Sequence, residues 1–425
     1  MTTISPETHH AIHSAIADRR QATIDLLLSL VAVPSVTGTE GAVQAVVRSA
    51  YEQRGLTVDA WESSREEIEP YLIHVGEQER YEGRPSVVGR RHGTGGAGSR
   101  SLLLQGHIDT VDWGERDHWT RDPAGEVHDG RVYGRGSADM KGGIVTHIAA
   151  LDALDAAGVE LRGDLLLASC VGEEDGGLGA LSTMLRGHRA AAAIVTEPTN
   201  LALVVAHGGS VVFRITVTGL SAHGGSRNQG VSAVEKFIPI FQELLRWERE
   251  RNDTLHHPLY DHLENKFPIS VGLVRAGTWA STVPESLVAE GRLGFLPGET
   301  IEAMQAAAEA KIRAIAMQDP WLRGHPPQVE WIGGQFASAE VSPEEPIARV
   351  LAESHRLVTG ATPTVEAVTW GADMRLLIEI GGIPTIIFGA GDVRNVHCPD
   401  EFIDIDHLLT AIETLAVTIA EWCGT

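Results

Sequence analysis

The sequence of 425 residues is poor in cysteine, in basic residues and in long apolar runs. Its three cysteines, Cys170, Cys398 and Cys423, include no CxxC pair. A sparse, odd count argues against a disulfide framework and favours a reducing compartment, so we predict a cytoplasmic protein. No stretch approaches the ~20 apolar residues that a membrane helix requires. Residues 1–20 lack the apolar core of a signal peptide.

Basic residues are outnumbered by acidic ones, 34 against 57, which gives a formal net charge of −23. Binding to phosphate needs clustered Lys and Arg, so the composition argues against nucleic acid or an anionic membrane as a partner. The hydrophobic fraction of 43% is typical of a globular protein with a core. The length exceeds that of a usual single domain and predicts two domains.

Short apolar segments alternate with helical patterns in the first half of the chain. Strand patterns occur at residues 86–89, 101–105, 164–171 and 191–196, and a helical pattern at 142–157. This alternation predicts an α/β domain with a mostly parallel sheet and helices on both faces. Residues 93–98 match GxGxxG by letter. They lead into a strand rather than a helix, so we interpret them as a loop and not as a dinucleotide site.

The pattern changes at about residue 210. Strands are predicted at 211–218, 269–276, 287–295 and 329–332, and helices at 231–250 and 300–317. The order βαββαβ is that of a ferredoxin-like unit. Motifs of the first domain return after it, so we predict an insertion. The expected division is a catalytic domain of residues 1–209 and 334–425 and an inserted domain of residues 210–333.

Acidic and histidine side chains cluster where the predicted strands end. His107 and Asp109 follow one strand, Glu173 and Glu174 a second, and Glu197 a third. Open α/β sheets place their sites at the carboxyl ends of strands. Two adjacent acids after a fully apolar strand would be costly without nearby cations.

Two further segments complete this set. Asp139 lies in the glycine-dense stretch 134–143, and its two carboxylate oxygens can bridge two cations. His397 follows a glycine-rich turn late in the chain. Each residue has an ordinary alternative, such as a structural His-Asp pair at His107, a helix cap at Asp139 or solvated loop acids at Glu173. Together they predict a site for two divalent ions, with Zn²⁺ preferred and Co²⁺ or Mn²⁺ as alternatives.

Five motifs, in order, resemble those of one known family. They are GHIDTV (106–111), GRGSADMKGG (134–143), EEDGG (173–177), TEP (196–198) and HCPDE (397–401). The family is that of the co-catalytic zinc metallopeptidases and deacylases, which includes acetylornithine deacetylase and succinyl-diaminopimelate desuccinylase. The resemblance implies that one ion is held by His107 and Glu197 and the other by Glu174 and His397. It also implies that Asp139 bridges the two ions.

The resemblance implies further roles. Glu173 would be the general base, and Asp109 would orient His107. His223 would polarise the substrate carbonyl, usually from the partner subunit of a dimer. Arg292 would bind a substrate carboxylate. The inserted domain would be a lid and dimerisation domain, so a homodimer is expected.

The implied activity is hydrolysis of the amide bond of a small N-acyl amino acid or a related N-acylated amine by a metal-activated water. A dipeptidase or carboxypeptidase, a deformylase of a formylaminopyrimidine in thiamine salvage, and a catalytically silent binding protein are the alternatives. Two positions depart from the family pattern. Ser281 replaces a frequent asparagine and Gly208 a frequent basic residue. Both positions bear on substrate contacts, so the substrate stays open.

Overall fold

The computed structural model describes residues 4–78, 80–96 and 98–425. Its strands are β1 (Thr57–Trp61), β2 (Ser86–Arg91), β3 (Leu102–His107), β4 (Glu126–His128), β5 (Arg131–Tyr133), β6 (Leu165–Cys170), β7 (Ala192–Val195), β8 (Leu203–His207), β9 (Gly209–Thr218), β10 (Ile269–Ala276), β11 (Ser286–Phe295), β12 (Gln328–Phe336), β13 (Ala339–Glu340), β14 (Val365–Val368), β15 (Thr385–Ile387) and β16 (Phe402–Asp404).

Its α-helices are α1 (Pro6–Asp18), α2 (Arg20–Val31), α3 (Gly41–Gln53), α4 (Arg65–Ile68), α5 (Leu72–Val75), α6 (Gly142–Ala156), α7 (Leu178–Leu185), α8 (Ala233–Thr254), α9 (Ile301–Ala316), α10 (Pro346–Thr359), α11 (Met374–Glu379) and α12 (Ile405–Cys423). Residues 93–96 and 98 lie between β2 and β3, and the next element after them is the strand β3. Ala97, which belongs to the GxGxxG match, lies outside the described residues, as do residues 1–3 and 79. In the part of the chain that is described, no helix has the length and apolar composition needed to cross a membrane.

The chain divides into two compact units. The first comprises Met1–Val205, Glu340–Glu366 and Ala372–Thr425, and the second comprises Ala206–Ala339 and Ala367–Gly371. The sequence placed the corresponding boundaries at 209/210 and 333/334. The short segment Ala367–Gly371 also belongs to the second unit. The sequence did not predict this, because the segment contacts that unit only in the folded chain.

The large sheet has the strand order β1-β2-β6-β3-β7-β15-β8-β13, and β14 pairs with β8. The strands β6, β3, β7 and β15 are mutually parallel, whereas β1 pairs antiparallel with β2, β2 with β6, and β8 with β15. Every residue of β3 and β6 is buried, as is typical of central parallel strands covered on both faces. The predicted α/β class is confirmed, with the parallel pairing confined to the centre of the sheet.

The second unit has the order β9-α8-β10-β11-α9-β12 around the antiparallel sheet β10-β11-β9-β12. Burial along β9 alternates, because one face of the sheet packs on the helices. Ser232 caps α8 by accepting a hydrogen bond from the Glu235 N–H, and Thr300 caps α9 in the same way through the Ala303 N–H. The predicted βαββαβ unit is therefore present.

Candidate metal centre and active site

The parallel strands at the centre of the large sheet deliver the candidate residues to one edge. His107 is the last residue of β3, and Glu173 and Glu174 follow β6. Glu197 follows β7, and the chain after β15 leads to His397. Since parallel strands end at the same edge, residues far apart in sequence converge there.

Asp139 lies between the two histidines. Its Oδ1 is 3.0 Å from His107 Nε2, and its Oδ2 is 3.2 Å from His397 Nε2. The Asp139–Met140 peptide bond is cis. One carboxylate thus faces both imidazoles, with one oxygen directed to each.

A second carboxylate lies beside each histidine. Glu197 Oε2 is 3.7 Å from His107 Nε2, and Glu174 Oε1 is 3.0 Å from His397 Nε2. Ligand atoms of His107, Asp139 and Glu174 all lie within 4.8 Å of one another. The structure therefore groups these five side chains as two His-carboxylate pairs that share Asp139.

The donor chemistry fits divalent cations. His107 Nδ1 lies 3.0 Å from the Asp109 carbonyl oxygen, which can only accept, so Nδ1 carries a proton. In the neutral ring the lone pair of Nε2 then faces the carboxylates of Asp139 and Glu197. A proton on Nε2 would satisfy only one of these oxygens, whereas a cation can bind the nitrogen and both oxygens.

The electrostatics agree with this fit. Burial raises the pKa of Glu197 to about 7 and that of Glu174 above its usual value. Hydrogen bonds to Asp139 and Glu174 raise the pKa of His397 to about 10. Burial alone would raise the pKa of Asp139, but its contacts with both histidines lower it. Buried carboxylates that repel one another in this way are stabilised by cations.

Asp109 lies beside His107, but its carboxylate is 3.6 Å from Nδ1, beyond hydrogen-bond distance. Its Oδ1 and Oδ2 accept instead from the backbone N–H groups of Glu173 and Glu174, at 3.1 and 3.2 Å. Thr37 Oγ1 donates to Oδ2 at 3.0 Å. Asp109 therefore holds the imidazole through its carbonyl and the glutamate pair through its carboxylate, a second contact that the sequence did not reveal.

Glu173 has the properties of an available base. Its side chain is buried, and burial raises its pKa well above the usual value. Among residues 4–78, 80–96 and 98–425, its carboxylate has no hydrogen-bond or ion-pair partner. The neighbouring Glu174, in contrast, contacts His397. The two adjacent acids thus have different surroundings.

The glycine-dense segment shapes the backbone around Asp139. Gly136 has φ +81°, a conformation that other residues rarely adopt. A Cβ on Gly143 would lie 2.5 Å from Thr196 Oγ1, so only glycine lets α6 approach that strand end. Lys141 is buried, and its Nζ donates to the carbonyls of Leu30 and Val33. The segment is therefore contacted by the residue that follows β7 and by carbonyls at and just after the end of α2.

Some residues around the centre were not assigned from the sequence. Glu401 is fully buried and accepts hydrogen bonds from Arg135 and from the backbone N–H groups of Ala138 and Asp139. Asp373, also buried, accepts from Gln105 Nε2 at 2.7 Å. The acids after His397 were visible as part of a motif, but nothing local indicated their partners.

His223 and Arg292 belong to the second unit. His223 is exposed, and its Nδ1 accepts a hydrogen bond from the Gly225 N–H at 3.1 Å. The proton of a neutral ring then resides on Nε2, which is the form that can donate to a carbonyl oxygen. The Ser281 carbonyl accepts from the Gly224 N–H at 2.6 Å, so Ser281 lies next to this histidine turn.

Arg292 lies on β11. Its Nε donates to Ser210 Oγ at 3.0 Å and its Nη2 to the Thr369 carbonyl at 3.3 Å. In the described ranges of the chain it forms no ion pair with an acidic side chain, and burial lowers its pKa. Gly208, the other altered position, donates its N–H to the Val368 carbonyl at 2.7 Å. The roles of these residues remain predictions.

The chain is similar to several known proteins. The model of peptidase family M20/M25/M40 matches residues 103–421. The chain is 27% identical over 438 residues to the N-formyl-4-amino-5-aminomethyl-2-methylpyrimidine deformylase of Bacillus subtilis (strain 168), covering 98% of both proteins. It is 27% identical over 340 residues to the acetylornithine deacetylase of Pectobacterium carotovorum subsp. carotovorum, covering 77% of this chain and 82% of that relative.

Among solved structures, the fold is similar to that of the di-peptidase Dug1p from Saccharomyces cerevisiae. The TM-score is 0.78 at 14% sequence identity, and the match covers 99% of this chain and 100% of the yeast chain. This likeness supports the fold and carries no information on the substrate.

Proposed function

Because this chain belongs to peptidase family M20/M25/M40, we propose that it is a two-metal amidohydrolase that removes the formyl group from a small N-formylated aminopyrimidine. The main support for this reaction type is the position of the Asp139 carboxylate, which directs one oxygen to each histidine. The substrate class rests on the deformylase relative, which matches over 98% of both chains, whereas the deacetylase relative matches over 77% of this one.

The two ions would each have three protein ligands. His107, Glu197 and Asp139 would hold one ion, and His397, Glu174 and Asp139 the other. Zn²⁺ suits this mixture of imidazole and carboxylate best, with Co²⁺ and Mn²⁺ as alternatives. When bound, such ions act as Lewis acids that acidify water and polarise a carbonyl oxygen.

The side chains of the protein would carry the proton transfers. Glu173 would take a proton from the attacking water and deliver it to the leaving amine, so that formate and the free amine are produced. His223 would donate its Nε2–H to the carbonyl oxygen as negative charge develops there. Asp109 would keep Glu173 and Glu174 in place through their backbone N–H groups.

We also propose a homodimer formed through the second unit. The edge strand β10 exposes Leu273 and Val274, and α8 exposes Val234, Ile238 and Phe241 on one stripe. Pairing of β10 with its copy would satisfy the open strand edge and cover this apolar surface. The predicted cytoplasmic location remains a prediction, in line with the three free cysteines.

One observation favours a second candidate function. Arg292 is partly buried and has no acidic partner among the described residues, which suits recognition of a substrate carboxylate. An aminopyrimidine has no carboxylate, whereas an N-acyl amino acid has one. A deacylase of N-acyl amino acids is therefore the second candidate.

Metal analysis and a substrate panel test the proposal. Protein loaded with Zn²⁺ or Co²⁺ is assayed on N-formyl aminopyrimidines and on N-formyl, N-acetyl and N-succinyl amino acids. We expect two ions per chain and the highest kcat/KM on a formyl aminopyrimidine. Preference for N-acyl amino acids, lost in Arg292→Met, would favour the second candidate. No turnover of any amide by fully loaded protein would reject both.

A further inference from the structure

Glu401 is a buried acid that the proposed chemistry does not use. It is fully buried and directly precedes β16. Its Oε2 accepts a hydrogen bond from Arg135 Nη1 at 2.6 Å. Its Oε1 accepts from the backbone N–H groups of Ala138 and Asp139, both at 3.1 Å. Three donors therefore converge on one carboxylate.

The two backbone donors belong to the segment that carries the shared carboxylate. Asp139 has φ −119° and ψ 92°, outside the helical range, although it lies in the turn just before α6. Its N–H therefore depends on Glu401 rather than on a helical carbonyl. The backbone N–H and the side chain of Asp139 are attached to the same Cα atom. Fixing the N–H group therefore limits where the two carboxylate oxygens of Asp139 can lie.

The turn that contains Glu401 also contains His397. Within this turn, His397 and Asp400 both have φ 58°. The Asp400 carboxylate accepts from the N–H groups of Thr120 and Arg121 at 2.8 and 2.9 Å. One short turn thus presents a histidine of the centre, is fastened to a neighbouring loop, and ends in the acid that holds Asp139.

We propose that Glu401 is a positioning residue of the metal centre. By holding the Ala138 and Asp139 amides, it keeps the Asp139 carboxylate between His107 and His397. The inference rests on the proposed function, since it concerns the two-ion site. Residues that orient metal ligands usually contribute about 10–100-fold to metal affinity, and we expect a loss of that size when Glu401 is removed.

A purely structural role is the competing explanation, because Glu401 also neutralises the buried Arg135. Replacement of a buried ion pair by apolar side chains is often neutral for stability, whereas removal of one partner is costly. The variants Arg135→Met, Glu401→Met and the double variant therefore separate the two roles. Arg135→Met alone keeps the hydrogen bonds from the Ala138 and Asp139 amides to Glu401. The double variant alone removes both buried charges.

The measurement is titration of metal-free protein with Co²⁺, followed by the visible absorption spectrum, together with melting temperatures and Zn²⁺ competition. We expect Arg135→Met to melt lower but to bind Co²⁺ with nearly the affinity and spectrum of the wild type. The double variant should regain thermal stability, yet bind Co²⁺ about 10–100-fold more weakly and with an altered spectrum.

The inference would be overturned if the double variant bound Co²⁺ with the affinity and spectrum of the wild type. It would also be overturned if the Co²⁺ affinity of every variant fell in proportion to its melting temperature, since loss of stability would then explain the weaker binding. If the methionine variants do not fold, Glu401→Asp keeps the charge and shortens the side chain. An altered Co²⁺ spectrum is expected there, and an unchanged one would overturn the inference. If the wild type itself binds no pair of ions, the proposed function fails first.

Discussion

The first unit buries ionisable side chains around the candidate metal centre, whereas the most exposed large apolar side chains of the described residues belong to the second unit. Asp109 and Glu401 are 0% exposed and His107 is 1% exposed, whereas Trp279 is 74% and Val274 53% exposed. Buried charges are stabilised by counter-charges, and exposed apolar surface by contact with a partner. This difference supports the two proposals above, that the first unit binds cations and that the second unit contacts a partner subunit.

The largest effect is expected within the glutamate pair of the first unit. Glu173→Gln removes the proposed base while leaving all proposed ligands, so kcat should fall by about 10²–10⁴-fold with two ions retained. Glu174→Gln is the matched control, since it removes a ligand and should lower the metal content. Turnover and metal content of the purified variants are the measurements. Near-wild-type turnover of Glu173→Gln would rule out its role as the base.

The second prediction links the two units. His223→Ala should keep its ions and turn over weakly, because a donor to the carbonyl oxygen is lost. If His223 acts on the partner subunit's site, mixing this variant with Glu173→Gln creates intact sites. Random mixing should then restore about a quarter of wild-type activity. Each variant dissociated and reassociated alone is the control, and absence of restored activity would show that His223 acts within its own chain.

The third prediction tests the exposed edge of the second unit. Val274→Asp places a charge on β10 and should convert a dimer into monomers, as measured by sedimentation. Val127→Asp is a suitable control, since Val127 is 46% exposed on a short strand of the first unit. Dimers that persist in Val274→Asp, or a wild type that is monomeric, would contradict the proposed interface.

The smallest effect concerns a buried histidine of the first unit. Burial lowers the pKa of His147 from 6.5 to about 3, and its Nε2 contacts Thr196 Oγ1 at 2.8 Å. The unfolded chain therefore binds this proton more readily, and stability is lost as the pH falls below 6.5. The loss should reach about 2 kcal/mol at pH 5.

His147→Gln, which does not titrate, should reduce this acid sensitivity. Urea unfolding of metal-free protein at pH 7.5 and pH 5 measures the difference between variant and wild type. The matched control is His262→Gln, which changes an exposed histidine of the second unit. Equal acid sensitivity in wild type and His147→Gln would show that His147 is not responsible.

Much of this architecture could be predicted from the sequence, because apolar patterns report on local burial. The apolar run before Glu173 predicted a buried strand, and every residue of β6 is buried. The βαββαβ order of the second unit followed from the same patterns. The antiparallel edges of the large sheet could not be predicted, since pairing direction depends on neighbours that are distant in sequence.

The candidate residues were identifiable because strand ends and glycine-dense turns are local features. The partners of Asp109 and Glu401 were not identifiable. Glu401 meets Asp139 across 262 positions of sequence, and Asp109 meets Glu173 across 64. Contacts between residues so far apart in sequence decide which acid faces the candidate metal centre and which accepts a hydrogen bond from a backbone amide.

Local sequence is therefore sufficient to predict which candidate side chains the site uses and at which strand ends they lie, since strands and turns follow from periodicity and turn chemistry. The folded chain is needed to show that Asp139 directs one oxygen to each histidine and that Glu401 holds its amide. The reason is physical: hydrogen bonds and ion contacts act over a few ångströms in space, and residues that lie so close in this protein can be far apart in sequence, as Asp139 and Glu401 are.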